Sequence, residues 1–571
     1  MNRLTRPAAL IAGVLLAALA GPAPAASAAG SHALIQGSGS SWAANAVNQW
    51  VADVASQGMQ VVFTANGSAQ GRKDYANRST DFGVSDVGFL GKDPTTGQAD
   101  TSLGRSFAYL PIAAGGTALP YHIDVGTTRV RNLRLSGETL AKIFTGQITN
   151  WNDAAVTRDN NGHALPSLPI IPVVHAEGAG VTMQFTRYLA KQYPSIWAPC
   201  NGGQAVETEY FPVNCGHPTG NMRAQAGSDG VMNFIKSSGA NGSIGLEEYS
   251  YPLLANFPSV KVLNKAGYFT LPTQYNVAVA LTKAVINEDA SSPDYLLQNL
   301  DNVYTNSDRR TYPLSSYVYA IIPTASDDNR MTTAKRQTIA DFLYYSICQG
   351  QQEIGPIGYS SLPINLVQAG FEQIGKLKTA DAGVDLAERN VSTCHNPTFI
   401  AGKPQVNHLA VIAPQPPSCD KVGAGPCDAS QGTYNENPGG GNSGSGSGTG
   451  SGSGSGSGNG TGSGSGSGDG SGSGSGSGAG TGAGSGAGGL GTGLGGAGAG
   501  LGGVGSAGTG ADAGSGAGGG QVLVVPTTLA ADSENGSSGV LAALAGGIFL
   551  AVLGVPVFLA RRRPRESGQP S

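Results

Sequence analysis

The stretch Asn66-Gly-Ser-Ala-Gln-Gly-Arg-Lys73 and the closely following Asp81-Phe-Gly-Val-Ser-Asp86 decide the fold of this chain. The apolar run before them predicts a strand, the Gly-Ser pair predicts a tight turn, and a short helix is expected over residues 69–77. The free N–H groups at the start of such a helix and the Ser68 hydroxyl would face one point, which suits a small anion. Asp86 adds a carboxylate, which favours an anion that brings a proton for it to accept, such as hydrogen phosphate. The same turn is also a common helix cap, so the motif alone does not decide between the two readings.

The composition of the chain excludes several classes of protein. Its 571 residues include 90 glycines, a charged fraction of 12% and a formal net charge of −4. The glycines concentrate near the C-terminus, so only part of the chain can form a packed core. No basic run lies in the body of the sequence, which argues against nucleic acid as a partner. The seven His residues are scattered and no Cys pair has the spacing of a zinc site, so we expect neither a metal nor a cofactor.

The two ends of the chain are typical of an exported protein that stays attached to the cell membrane. Residues 1–28 combine two arginines, an apolar stretch and small residues before a cleavage signal, which predicts a signal peptide. Residues 540–560 are uncharged and as a helix would span about 31 Å, enough to cross a bilayer once. The basic tail at 561–571 would stay in the cytoplasm and leave the main domain outside the cell. A cleaved cell-wall sorting tail is the alternative, but no clear Leu-Pro-x-Thr-Gly motif precedes the apolar run.

The region between these ends divides by composition. We expect a folded domain at 29–400, a stem with Pro and Cys at 401–437, a disordered Gly/Ser/Ala-rich linker at 438–520 and a juxtamembrane segment at 521–539. The linker has almost nothing apolar to bury, and its mean span would be on the order of 50 Å. The stem could stiffen the exit from the domain or contact another surface protein.

The six cysteines all lie in the part predicted to be exported, where an even number indicates disulfides. They are Cys200, Cys215, Cys348, Cys394, Cys419 and Cys427. Sequence spacing favours pairing the first two with each other and the last two with each other, which leaves the middle two as the third pair. Other pairings remain possible in principle.

A second Gly-Ser turn, in Gly37-Ser-Gly-Ser-Ser-Trp42, also follows a predicted strand and opens a helix. From residue 34 to about residue 400, short apolar runs alternate with amphipathic helices. This alternation predicts an α/β fold whose ligand lies beyond the carboxyl ends of the strands. Two such turns in one lobe strengthen the prediction of an anion site.

The chain resembles the phosphate-binding proteins of bacterial phosphate ABC transporters over residues 34–377. Besides the two turns, the resemblance is carried by Leu135-Ser-Gly-Glu-Thr-Leu-Ala-Lys-Ile-Phe-Thr-Gly-Gln-Ile-Thr-Asn-Trp-Asn-Asp153, Gly227-Ser-Asp-Gly-Val231 and Tyr359-Ser-Ser-Leu-Pro363. It implies an α/β, two-lobed periplasmic-binding-protein (type II) fold with a hinge, for which the Gly115-Gly116 pair is the candidate. It also implies phosphate or a similar oxyanion as ligand, an ABC permease as partner and no catalysis. We expect the protein to be a monomer.

The resemblance implies a set of ligand-binding residues, and part of that set departs from the family pattern. The set is Ser41, Trp42, Ser68, Asp86, His175, Ala179, Gly180 and Val181. In the second lobe the segment reads His175-Ala-Glu-Gly-Ala-Gly-Val-Thr182. His175 stands where the family has Arg, and Ala179 and Val181 stand where it has hydroxyl residues.

These departures predict weaker binding of phosphate. Charge-assisted hydrogen bonds contribute about 1.5 to 3 kcal/mol each, so losing an Arg and two hydroxyls could cost roughly three decades of affinity. An unperturbed imidazole is mostly neutral at pH 7, so His175 would strengthen binding as the pH falls toward 6. Arg223 is a candidate for a substitute cation.

Two other functions also fit the sequence. The altered second-lobe segment would suit a surface interaction or adhesion module that keeps the fold but has changed or lost its ligand. An enzyme would need Ser68, Asp86 and His175 to converge as an activated nucleophile. The chain has no Gly-x-Ser-x-Gly motif, so we expect no catalytic residues.

Overall fold

The computed structural model describes residues 32–427 except 94, 214, 216–220 and 388. The predicted signal peptide, Gly-rich linker, juxtamembrane segment, transmembrane helix and basic tail lie outside the described residues. Within the described range, no helix has both the length and the apolar character that crossing a membrane requires.

The described chain alternates strands and helices, as the sequence predicts. The strands are β1 (Ile35–Gly39), β2 (Val61–Ala65), β3 (Phe82–Ser85), β4 (Gly91–Lys92), β5 (Ala99–Asp100), β6 (Phe107–Ala118), β7 (Tyr121–His122), β8 (Asp124–Val125), β9 (Thr128–Arg129), β10 (Arg134–Leu135), β11 (Ile171–His175), β12 (Arg223–Gln225), β13 (Ser243–Gly245), β14 (Glu247–Glu248), β15 (Lys261–Leu263), β16 (Phe269–Thr270), β17 (Val285–Ile286), β18 (Gln298–Asn299) and β19 (Ser315–Pro323). The helices are α1 (Ala44–Ala55), α2 (Ser68–Ala76), α3 (Gly137–Phe144), α4 (Ala154–Asp159), α5 (Gly180–Gln192), α6 (Pro194–Trp197), α7 (Gly227–Lys236), α8 (Ser250–Leu254), α9 (Gln274–Leu281), α10 (Asp301–Tyr304), α11 (Thr333–Ile347), α12 (Gln351–Ile354), α13 (Ile364–Ala380) and α14 (His408–Ile412).

Lobe 1 is built on a six-stranded sheet with the strand order β14-β6-β19-β3-β1-β2. Strand β1 is parallel to both β2 and β3, so the carboxyl ends of these three neighbours meet at one edge. Strand β19 is antiparallel to β3 and to β6. Helix α1 buries Val47, Trp50 and Val54, which recur at helical spacing, and packs against α11.

Lobe 2 contains a four-stranded sheet with the order β12-β11-β13-β7 and a three-stranded sheet with the order β10-β15-β16. Helix α3 begins after Ser136, whose hydroxyl caps the helix by accepting a hydrogen bond from the Thr139 N–H. Its apolar face buries Leu140, Ile143 and Phe144, which recur at helical spacing. Helix α7 packs on β11, β12 and β13.

The glycine pair expected at the hinge lies inside a strand. Gly115 and Gly116 belong to β6, where they pair with β19, and the chain first enters lobe 2 beyond them, between β6 and β7. A Cβ atom on Gly115 would lie 2.6 Å from the Trp42 ring, and one on Gly116 would lie 2.4 Å from Pro272. These glycines therefore allow close packing across β6, whereas the sequence suggested that they supply torsional freedom.

The three predicted disulfides are confirmed. The structure joins Cys200 to Cys215, Cys348 to Cys394 and Cys419 to Cys427. The first and last pairs match the assignment made from sequence spacing, because short loops bring their own ends together more readily than long ones. The middle pair, 46 residues apart, is the one that remained.

Residues 404–427, which we call the C-terminal strap, pack on the folded domain and do not extend away from it as a stem. Leu409 and Ala413 are buried against α9. Further along, Lys261 of lobe 2 forms an ion pair of 2.7 Å with Asp420, which is fully buried. Arg134 of lobe 2 also donates hydrogen bonds to the Cys419 and Ala424 carbonyls. In the sequence the strap thus comes after α13 and the Cys348–Cys394 disulfide of lobe 1, and in the fold it packs against lobe 2.

Candidate functional site

The carboxyl ends of three parallel strands bring Ser40, Ser68 and Asp86 together. Ser40 follows β1, Ser68 opens α2 after β2, and Asp86 follows β3. The Ser40 and Ser68 hydroxyls donate hydrogen bonds of 2.8 and 2.7 Å to the same oxygen, Oδ2 of Asp86. All three residues are buried. This edge of the sheet is where α/β folds place their ligands.

The first turn of α5, from lobe 2, lies directly against this carboxyl group. A Cβ atom on Gly180 would lie 1.9 Å from Oδ2 of Asp86, so only glycine fits at this position. The residue before the helix, Ala179, has no side chain that could cap the first N–H groups. The positive end of the helix dipole therefore faces the carboxyl group, an arrangement that suits an anionic group between the lobes.

Two buried polar atoms near the start of α5 have no hydrogen-bond partner within the described chain. They are Oδ1 of Asp86 and the hydroxyl of Thr182, the third residue of the helix. Buried polar atoms nearly always find a partner, because leaving one unpaired costs about 1 to 3 kcal/mol. These atoms are therefore available to a ligand. Thr182 was absent from the predicted set, although its place in the helix opening is readable from the sequence.

Burial raises the pKa of Asp86 to about 6, although the hydrogen bonds from Ser68 and Ser40 act to lower it. The carboxyl group is therefore mostly ionised at pH 7.5 and mostly protonated at pH 5. An ionised Asp86 can accept a proton from a ligand, and it repels an anion that has none to give.

His175 ends β11 and is held by two acceptors. Its Nδ1 donates to Oε1 of Glu177 at 2.8 Å and its Nε2 to the Leu246 carbonyl at 3.2 Å. A carbonyl oxygen and an ionised carboxylate only accept hydrogen bonds, so these two contacts favour the imidazolium form of the ring. Burial acts to lower the pKa of His175, but Glu177 and Glu247 outweigh it and raise the pKa overall. The charged form of His175 is therefore favoured more than in the unperturbed imidazole on which the sequence-based prediction rests.

The structure separates the remaining predicted site residues into two groups. Ala179, Gly180 and Val181 are buried at the start of α5, close to Asp86. The Ser41 hydroxyl instead accepts hydrogen bonds from the N–H and the hydroxyl of Ser228, across the lobe boundary. The Trp42 ring packs edge-on against Tyr359 at 5.7 Å between ring centres.

Sequence reasoning missed Ser40. It also considered His175 as part of an activated nucleophile and Arg223 as a substitute cation. Of the Ser40-Ser41 pair, it selected Ser41, whereas Ser40 is the residue that contacts Asp86. Within the described part of the chain no hydrogen bond joins His175 to Ser68 or to Asp86, so the geometry of an activated nucleophile is not formed. Arg223, the suggested substitute cation, donates to the neighbouring Met222 carbonyl at 3.4 Å.

Comparison with known proteins places this chain in a family. A family model described as a PBP superfamily domain matches residues 23–349. The phosphate-binding protein PstS of Xylella fastidiosa is 28% identical over 336 residues, which cover 58% of this chain and 83% of that protein. The phosphate-binding protein PstS 2 of Mycobacterium tuberculosis is 30% identical over 335 residues, with the same coverage of 58% and 83%.

Among solved structures, a high-affinity periplasmic phosphate-binding protein bound with phosphate (PfluDING) is 18% identical, with a TM-score of 0.48. That match covers 62% of this chain and 100% of the other. The relatives are named as binding proteins and not as enzymes, in agreement with the expectation that this chain binds its ligand without transforming it. The chain therefore belongs to the PBP superfamily and is a relative of the PstS phosphate-binding proteins.

Proposed function

We propose that this chain is an extracellular substrate-binding protein that captures hydrogen phosphate, or a closely related oxyanion, between its two lobes. Its PstS relatives are named as phosphate-binding proteins, which supports this choice of ligand. The observation that carries the proposal is the buried Asp86 carboxyl group, held by two serine hydroxyls and faced by the uncapped start of α5. Hydroxyl donors, helix N–H groups and one proton acceptor are together what hydrogen phosphate requires.

The site recognises the protonation state of the anion. Hydrogen phosphate binds when the lobes are apart, with the Ser68 hydroxyl and the first N–H groups of α5 donating to its oxygens. Asp86 accepts the ligand's proton, and Ser40 keeps the carboxylate in place. Sulfate has no proton at neutral pH, so the ionised Asp86 repels it. Phosphate and arsenate are therefore bound and sulfate is rejected.

The cation that favours the anion is His175 in place of the family's Arg. Its ring contacts Glu177 and the Leu246 carbonyl, so it acts on the ligand through its charge and not through a hydrogen bond. Charge alone contributes less than a bidentate guanidinium contact. We therefore expect this site to bind phosphate more weakly than a site that has the family's Arg.

The same proposal includes delivery to a membrane permease. The apolar run at 540–560 and the basic residues after it support a single membrane anchor with the binding domain outside the cell. The long Gly/Ser linker would let the domain move between the surrounding medium and an ABC permease in the same membrane.

Calorimetric titration of the full chain tests this function. Carried-over ligand is first removed by unfolding and refolding, and phosphate, arsenate and sulfate are then added at pH 7.5. We expect saturable binding of phosphate and arsenate but not of sulfate. Ser68→Ala should weaken phosphate binding at least tenfold, since it removes one charge-assisted bond of about 1.5 to 3 kcal/mol. Ser56→Ala, at an exposed serine after α1, is the matched control.

The alternative function predicts a different result in the same titration. A surface interaction or adhesion module that has lost its ligand would bind none of the three anions. The altered segment with His175, Ala179 and Val181 is the feature that favours this alternative. Absence of saturable binding for all three anions would therefore overturn the proposed function.

A further inference from the structure

The first half of the C-terminal strap is attached to lobe 1. Leu409 and Ala413 of the strap are buried against α9, which itself packs on β6 and β19 of the lobe 1 sheet. Arg310, shortly before β19, donates hydrogen bonds of 2.9 and 3.2 Å to the Ala410 and Ala413 carbonyls. We call residues 408–413, held in this way on lobe 1, the first anchor.

The second half of the strap, residues 419–427, is attached to lobe 2 and forms the second anchor. Asn132, shortly before β10, donates a hydrogen bond of 3.1 Å to the Cys427 carbonyl. The Val422 N–H donates at 3.0 Å to the Gly267 carbonyl, between β15 and β16. These bonds add to the buried ion pair that Lys261 makes with the strap. Several interactions must therefore break together before the second anchor leaves lobe 2.

The segment Pro414-Gln-Pro-Pro-Ser418, which joins the two anchors, is stiff and extended. Proline fixes its own φ, and a residue that precedes a proline is confined to extended conformations. At the two ends of this segment Ala413 has φ −52° and ψ 127°, and Pro417 has φ −62° and ψ 150°. Both are close to the polyproline II conformation, which rises about 3.1 Å per residue. The segment therefore has little length in reserve.

This geometry makes the strap a mechanical link between the lobes. The chain also crosses between the lobes from β6 to β7 and from β13 to β14. The strap adds a crossing whose two ends are both held on the fold. Because its connecting segment is already extended, the two anchors cannot move apart unless one of them breaks.

We propose that the C-terminal strap is a brace that holds the two lobes at a fixed separation and limits how far the cleft between them opens. This inference goes beyond the proposed function, because the brace restrains the cleft whatever ligand the cleft binds.

Two backbone N–H groups report opening of the cleft. The Ala69 N–H of lobe 1 donates to the Gly178 carbonyl of lobe 2 at 3.1 Å. The Ser228 N–H of lobe 2 donates to the Ser41 hydroxyl of lobe 1 at 3.3 Å. Both donors are the second residue of a helix, α2 and α7, where an N–H group has no acceptor within its own helix. Their protection from hydrogen exchange therefore depends on contact between the lobes.

Slack in the strap tests the brace. Insertion of Gly-Ser-Gly-Ser between Pro414 and Gln415, which are both exposed, adds up to about 13 Å of chain and leaves both anchors intact. Hydrogen–deuterium exchange of the ligand-free full chain is then followed by mass spectrometry. We expect the amides of Ala69 and Ser228 to exchange at least tenfold faster than in the unmodified chain.

Amides bonded within a single lobe are the internal reference. The Val47 N–H donates to the Ala43 carbonyl in lobe 1, and the Ala176 N–H donates to the Gln225 carbonyl in lobe 2. We expect the exchange rates of both to stay unchanged in the insertion variant. An equal rise in the rates of these amides and of the two amides at the lobe boundary would indicate general loss of stability and would overturn the brace.

The matched control carries the same insertion between Gly402 and Lys403, which are also exposed and precede the first anchor. This insertion adds no slack between the anchors, so the exchange rates at the lobe boundary should stay as in the unmodified chain. Equal boundary rates in the two insertion variants would overturn the inference. The exchange measurement uses no ligand, so that result would leave the proposed function standing, and absence of anion binding in calorimetry would leave the brace standing.

Discussion

Arg72 of lobe 1 and Glu209 of lobe 2 are joined by two hydrogen bonds, Nη1 to Oε1 at 2.9 Å and Nη2 to Oε2 at 2.6 Å. Both side chains are only 1% exposed. The same guanidinium also forms an ion pair with Asp100 of its own lobe, so it is paired with one carboxylate on each side of the lobe boundary. The lobes cannot separate without breaking this pair, which therefore favours the closed arrangement.

The first prediction concerns this interlobe pair. Glu209→Gln removes the charge and keeps the shape, so the closed arrangement loses about 1.5 to 3 kcal/mol. We expect the radius of gyration of the ligand-free full chain in small-angle X-ray scattering to increase. Phosphate affinity should fall about tenfold or more, because closure is part of binding. Glu138→Gln, in an exposed pair with Lys142, is the control. Unchanged scattering and affinity in Glu209→Gln would contradict the role of this pair.

The second prediction concerns the stability cost of Asp86. Its pKa rises from 3.8 in the unfolded chain to about 6 in the fold, so the fold disfavours the ionised form. The cost is absent below about pH 4 and complete above about pH 6, where it amounts to about 3 kcal/mol. Asp86→Asn should therefore raise the free energy of unfolding at pH 7.5 by up to this amount and leave it nearly unchanged at pH 4.

Urea unfolding at the two pH values measures this effect. Asp327→Asn, at an exposed aspartate whose side chain is remote from the site, is the control and should be neutral at both. A destabilised Asp86→Asn at pH 7.5 would show that the carboxylate is better solvated in the fold than its burial implies.

The third prediction separates the sequence-based view of His175 from the structural one. A neutral His175 would strengthen phosphate binding as the pH falls toward 6. The two acceptors around His175 favour its imidazolium form, while Asp86 protonates as the pH falls through about 6. Affinity, corrected for the protonation forms of phosphate, should be flat from pH 7 to 8 and weaken about tenfold per unit below about pH 6. Tighter binding at pH 6 than at pH 7.5, measured by calorimetry, would favour the neutral His175.

The fourth prediction concerns the attachment of the C-terminal strap to lobe 2. Lys261→Met leaves Asp420 buried without its partner, so we expect a loss of about 3 to 5 kcal/mol in the free energy of unfolding. The double variant Lys261→Met/Asp420→Leu removes both charges and should be more stable than the single variant. Urea unfolding of the two variants measures the difference. If the double variant loses as much stability as the single one, the ion pair is not what holds the strap.

The local features of this fold were readable from the sequence because each depends on residues close together along the chain. The strand, turn and helix at Asn66 to Asp86 follow from an apolar run and a Gly-Ser turn, and α2 begins at Ser68, one residue before the predicted start. The cap at Ser136 and the stripe of α3 follow from spacing over two turns. The disulfides of Cys200 and Cys419 join cysteines 15 and 8 residues apart.

Tertiary structure alone decided which of these residues meet at the site. Adjacent serines leave a turn in different directions, so packing selected Ser40 for Asp86 and gave Ser41 to Ser228. The charge of His175 depends on the Leu246 carbonyl, 71 residues away, and Arg72 finds Glu209 at a separation of 137 residues. Sequence alone thus determined a phosphate-binding-protein-like α/β fold and a carboxylate at its strand ends. Which side chains surround that carboxylate was decided by long-range packing, because those contacts join residues far apart in the sequence, some within one lobe and some across the lobe boundary.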